Sequence, residues 1–177
     1  MKVKFGNKVR VGDPCYEPDK VAAGAYTEIP AVAGEWDIEV EDESNPIDRV
    51  FLRDCARTPV AFFGTFALGV DAGQMAFESV EVQRGGEYGE AGYYGDACRT
   101  TLTDGCGVFQ SGGHDVFVTS TGFGDGVYDL VVGFNEAGQA VSMEMRFIEE
   151  ENDVCDYCGE SQEWCHCDEE DEAEDEE

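Results

Sequence analysis

An all-β fold, an antiparallel sandwich or partly open barrel, follows from three features of the sequence. Apolar residues recur with a period of two in several short segments, 22 glycines punctuate the chain, and no long segment carries the apolar repeat of a helix. The 177 residues have room for one such domain and an appendage. Composition divides them into an all-β domain over 1–148, a Cys-rich knuckle over 149–167 and an acidic tail over 168–177 that is disordered by composition.

The elements follow in order. Val3 and Phe5 alternate with Lys2 and Lys4, Gly6-Asn7 interrupts, and Val9 and Val11 alternate with Lys8 and Arg10. A three-residue loop, Gly6 to Lys8, pairs Phe5 with Val9 and Val3 with Val11, so register predicts a hairpin. A short helix fits Pro18 to Ala23, with Asp19 favourable in its first turn. Trp36, Ile38 and Val40 alternate with Asp37, Glu39 and Glu41, the pattern of a half-buried strand. Asn45-Pro46 turns the chain and Val50 to Arg53 returns as a strand. Pro59 to Val70 is uniformly apolar and predicts a central strand covered on both faces. Arg84 to Gly113 is Gly-rich and predicts loops and short edge strands. Val116–Thr121, Val127–Phe134 and Ala140–Ile148 then read as a meander. In its last strand Val141, Met143, Met145 and Phe147 face one way, and Ser142, Glu144 and Arg146 the other.

The formal net charge is −29, of which residues 149–177 contribute −16 and residues 1–148 the remaining −13. Such a surface repels phosphate, which argues against direct nucleic-acid binding. It leaves basic protein partners, or mimicry of nucleic acid towards a DNA-binding protein. Met1 to Phe5 lacks the apolar run of a signal peptide, and no stretch reaches membrane-spanning length, so the expected location is cytoplasmic. Cys15, Cys55, Cys98 and Cys106 are then expected to be free, buried thiols.

Cys155, Cys158, Cys165 and Cys167 stand in the pattern C-x2-C-x6-C-x-C. Four soft thiolates suit a tetrahedral zinc, and Gly159 after the first pair supplies the turn of a knuckle. His166 is the alternative to Cys167 as fourth ligand. A shell closed in this way is structural rather than catalytic. Trp164 and Tyr157 are flanked only by negative charge, unlike the basic surroundings of nucleic-acid-binding knuckles.

Three Gly-Asp elements recur in turn positions: Gly12-Asp13-Pro14-Cys15-Tyr16, Val70-Asp71-Ala72-Gly73-Gln74, and Gly124-Asp125-Gly126-Val127-Tyr128. Gly-Asp is ordinary turn chemistry, in which Asp bonds nearby backbone and Gly takes positive φ. If the turns meet at one end of the domain, Asp13, Asp71 and Asp125, with Tyr128, form a candidate set for a hard cation or polar ligand. A cysteine hydrolase would need a thiolate beside a histidine; the body offers only His114, with Cys98 and Cys106 as partners and no nucleophile motif around either.

The same elements carry a resemblance. Gly12-Asp13-Pro14-Cys15-Tyr16 resembles a motif of small uncharacterised bacteriophage proteins. The later pair is similar to a bacterial and phage domain family of unknown function, with VDAG-like and GWGDGSY-like motifs in that order. The likeness covers most of residues 9 to 148 and implies a β-rich fold and a possible phage or prophage origin, but no activity. The expectation is a non-enzymatic β-domain that binds a protein partner, carries a structural zinc site and ends in an acidic tail. The alternatives are a ligand-binding or hydrolytic domain using Asp13, Asp71 and Asp125, and an acidic mimic of nucleic acid.

Overall fold

A computed structural model describes residues 1–18, 24–41, 47–84 and 92–147. Two antiparallel sheets face each other, as alternating apolar residues on short strands require. The larger runs in the order β1 (Lys2–Phe5), β4 (Gly34–Glu41), β5 (Arg49–Asp54), β11 (Ala140–Arg146), β10 (Gly126–Phe134) and β6 (Phe62–Val70). The smaller runs β3 (Tyr26–Pro30), β2 (Lys8–Gly12), β7 (Gln74–Ser79), β9 (His114–Ser120) and β8 (Cys106–Ser111). Both sheets keep open edges, so the fold is a sandwich and not a closed barrel. No helix among the described residues is long and apolar enough to cross a membrane.

The core lies between the sheets. Trp36, Leu52, Leu130, Met143 and Met145 from the larger sheet meet Val9, Val11, Met75, Phe77 and Phe117 from the smaller, all of them buried. Each such side chain contributes about 1.5–3 kcal/mol by leaving water. Trp36 stands edge-on to Phe5 with ring centroids 5.7 Å apart, and its indole N–H donates to the Val32 carbonyl at 3.0 Å. The alternation expected of β4 holds, and that of β11 holds from Met143 onward, with Met143, Met145 and Phe147 in the core and Arg146 exposed. At the start of β11 a register shift against β10 places Ala140, not Val141, in that core, and Ser142 is buried rather than solvent-facing.

Five expectations meet a different outcome or none. β1 and β2 do not form a hairpin: β1 pairs with β4, whereas β2 pairs with β3 and β7. Gly6-Asn7 carries the chain from one sheet to the other, and Val3, Phe5, Val9 and Val11 reach one core from opposite sides. The apolar strand β6 is an edge strand, and Phe62 and Phe63 are 50% and 68% exposed. The strand covered on both faces is β7, buried at all six positions despite containing Gln74, Glu78 and Ser79. The segment read as loops holds a helix, α1 (Tyr93–Asp104), besides β8. The short helix over 18–23 and the last residue of the segment 140–148 extend beyond the described residues.

Tertiary packing explains α1. Gly95 and three threonines give it poor intrinsic propensity, yet Tyr93, Ala97 and Thr101 recur every four residues and are buried. Tyr93 and Ala97 join Ala76, Val82, Val116 and Val118 in a second apolar cluster on the outer face of the smaller sheet.

A set of buried charges lies beside that cluster. Glu78 Oε1 accepts from Arg10 Nη1 at 3.0 Å and Arg84 Nε at 2.9 Å, and Arg10 also meets Glu28 at 3.1 Å. The Arg84 guanidinium lies 5.1 Å from the centre of the Tyr93 ring. Burial, reinforced by the charge of Glu78, pushes the Tyr93 hydroxyl well above the ordinary phenol range. Glu78 is fully buried, so its removal leaves two guanidinium groups in low dielectric without their shared carboxylate. Glu78→Ala is expected to lower stability by about 3–5 kcal/mol, read from the midpoint of urea unfolding at unchanged slope.

Candidate functional site

The three Gly-Asp turns gather at one end of the sandwich. Gly12 ends β2 where β3 passes so closely that a Cβ would stand 2.5 Å from the Ala25 carbonyl oxygen, so only glycine fits. The next residue, Asp13, is fully buried. Its Oδ1 accepts from the Cys15 N–H at 2.8 Å, and its Oδ2 accepts from the N–H groups of Asp71 and Ala72, each at 2.8 Å. One carboxylate therefore folds its own turn and ties that turn to the second. The Tyr16 hydroxyl returns the tie by donating to Asp71 Oδ2.

The third turn joins through backbone and glycine. Thr121 N–H donates to the Gly73 carbonyl at 3.0 Å, and a Cβ on Gly73 would lie 3.3 Å from the Gly124 Cα. Gly73 has φ +61°, so the left-handed backbone and the close approach both call for glycine there. The Thr121 and Tyr128 hydroxyls donate to the Gly124 carbonyl at 2.5 and 2.9 Å. Tyr128 is a core residue whose ring packs edge-on against Phe147 and whose hydroxyl closes the turn.

Arg84 and Tyr94, which the sequence did not single out, complete this end together with Gln74. Arg84 Nη1 donates to the carbonyls of Asp13 at 2.8 Å and Tyr16 at 2.7 Å, so the cation that balances Glu78 also clamps the 13–16 loop. Gln74 Nε2 donates to Thr101 Oγ1 at 3.0 Å and approaches Cys98 Sγ at 3.7 Å on α1. Burial pushes the Tyr94 hydroxyl up, and so do its hydrogen bond to the Cys98 thiol and the nearby Cys15 and Asp13.

Asp13 and Asp71 are thus brought together, but as fasteners. Asp13 takes three backbone N–H groups, and Asp71 holds the Tyr16 hydroxyl. Asp125 is exposed in the third turn. Among the described residues, no group of three or more His, Cys, Asp or Glu side chains is placed to hold a metal ion. His114 pairs with Ser111 at the tip of the β8–β9 hairpin, while Cys106 pairs with Thr119 five rungs away, about 17 Å along the strands. The cysteines at 155, 158, 165 and 167 lie outside the described residues.

The outer face of the larger sheet is divided. Towards β1, β4, β5 and β11 it carries ion pairs, Lys2–Glu35, Arg57–Asp37, Arg49–Glu41 and Arg146–Glu144. Towards β10 and β6 it carries Val127, Val131, Phe63, Thr65 and Ala67, with Asp129 the lone charge. Phe63 and Val127 are 68% and 73% exposed. They lie six rungs apart, so the apolar strip extends about 20 Å. No protein-family model matches the chain, and neither a curated protein nor a solved structure shows a significant match.

Asp13→Ala leaves three N–H groups without their acceptor and is expected to cost about 3 kcal/mol, measured by urea unfolding. The hydrogen bond to Asp71 is the largest cause that pushes the Tyr16 hydroxyl from 10 to about 12. A raised pKa means that the native state holds the proton more tightly. The associated stability is complete below pH about 10 and disappears as pH rises through about 12. The phenolate absorbance assigned to Tyr16 by difference against Tyr16→Phe should titrate near 12 in the parent chain, and at clearly lower pH in Asp71→Ala.

Proposed function

We propose that this chain is a non-enzymatic protein-binding β-sandwich of phage origin, acting in the host cytoplasm. Cys155, Cys158, Cys165 and Cys167 would hold a structural zinc, and the following acidic run would add negative charge. The observation that carries the reading is the divided outer face of the larger sheet. Its charged half is satisfied internally by ion pairs, whereas its apolar half presents Phe63, Ala67, Val127 and Val131 to solvent. An apolar strip bordered by charge is the composition of a docking surface. The net charge of −29 favours a partner with basic groups around an apolar centre, since opposite charge speeds encounter and fixes register.

A hydrolytic or ligand-binding role for Asp13, Asp71, Asp125 and Tyr128 is the weaker reading. Asp13 and Tyr128 spend their polar atoms on backbone groups that hold the turns.

Two measurements test the proposal. Host proteins retained on the immobilised full chain should be lost from Phe63→Glu and Val127→Glu; equal retention by both variants rejects the docking strip. Native mass spectrometry should find one zinc per chain, removed by chelation and absent from the double variant Cys155→Ser, Cys158→Ser. A parent chain of zinc-free mass rejects the metal site.

A further inference from the structure

Among the described residues the sandwich has four edge strands, and three of them are guarded. β1 carries Lys2 and Lys4, β3 carries Glu28 and ends on Pro30, and β8 lies under α1, with Thr100 against Gly107. The fourth, β6, reads Phe62-Phe63-Gly64-Thr65-Phe66-Ala67-Leu68-Gly69-Val70, nine residues without a charge, a proline or a register shift. A long, regular, apolar edge of this kind is a template for another strand.

The geometry says which part of the edge is open. Gly69 N–H points away from β10 and donates to the Gly24 carbonyl at 3.1 Å, so the segment at Gly24 occupies the edge there. Backbone groups alternate along a strand, so the N–H and C=O of Ala67, Thr65 and Phe63 also point away from β10. Among the described residues, no strand pairs with them. The open edge therefore runs over 62–67.

We infer that this edge pairs antiparallel with the same edge of a second copy, on a two-fold axis at Thr65. This register sets Thr65 opposite Thr65 and Phe63 opposite Ala67 of the other copy, and it makes about six backbone hydrogen bonds. It stops short of Gly69, so the Gly24 contact stays in place. On the outer face the large exposed Phe63 covers the small exposed Ala67 at both ends; on the inner face Gly64 meets Phe66. A chain of net charge −29 repels its copies over most of its surface, and β6 is where two copies meet without opposing charges. The contact is isologous and closes at two chains, joining the two six-stranded sheets into one.

This inference does not rest on the partner-binding reading: a dimer with no host partner, or a partner on a monomer, separates the two. The full chain, 19.3 kDa as a monomer, should sediment at twice that mass. Its dissociation constant should fall as salt is raised, because screening weakens the repulsion between copies. Hydrogen exchange at the amides of Phe63, Thr65 and Ala67 should slow as concentration increases. Thr65→Pro removes an outward N–H and should be monomeric, and Ala67→Lys should weaken association by about tenfold or more, with circular dichroism unchanged in Ala67→Lys. A monomer at all concentrations overturns the inference. So does a dimer whose three edge amides exchange at the monomer rate, or an open series of oligomers.

Discussion

One carboxylate organises the end of the sandwich on which three separated turns meet. Asp13 is buried and would be costly to hold there alone, and three backbone N–H groups supply the compensation. The dependence runs outward from it. The Asp13 carbonyl receives Arg84, Arg84 balances Glu78, and Glu78 is shared with Arg10, which reaches Glu28 on β3. The loop following β2, the strand β7 and the segment before α1 are thereby joined by one polar chain on the outer side of the smaller sheet. A core of aliphatic and aromatic side chains would hold the sheets together without it, but would not fix these loops.

Strands with a clean period of two were legible in the sequence. Trp36, Ile38 and Val40 in β4, and Met143 and Met145 in β11, alternate with polar residues, and each set packs towards the core. The place of β6 is not legible, because unbroken apolarity looks the same in sequence whether both faces are covered or, as here, one face and the edge are open. β7 is hidden for the converse reason. Its outer face hides Gln74 and Glu78 beneath α1 and Arg84, and a buried pair of opposite charges reads in sequence like a solvated surface. α1 escaped because its stability comes from Tyr93, Ala97 and Thr101 meeting an existing sheet, which local propensity cannot register.

The candidate site was half legible. Gly-Asp marks each of the three turns, and their meeting at one end was a testable consequence of that pattern. What the pattern does not contain is the use of the carboxylate. Whether Asp13 faces solvent or backbone depends on the Asp71 and Ala72 N–H groups, 58 and 59 residues away. Arg84 is equally remote from the loop that it clamps, and it stands at the margin of a Gly-rich stretch that gives no sign of its role. The sheet change at Gly6-Asn7 was hidden for a related reason: facing sheets and paired strands bury the same four residues, Val3, Phe5, Val9 and Val11.

The position of β11 has a consequence for biosynthesis. The last strand of the domain sits between β5 and β10, in the interior of the six-stranded sheet. A growing chain that has released everything up to Phe134 holds two half-sheets with facing unpaired edges, β4–β5 on one side and β10–β6 on the other. They join only when Ala140–Arg146 leaves the ribosome and inserts between them. Completion of this sheet therefore waits for its last strand, and the nascent domain spends the interval with open strand edges that a chaperone would recognise.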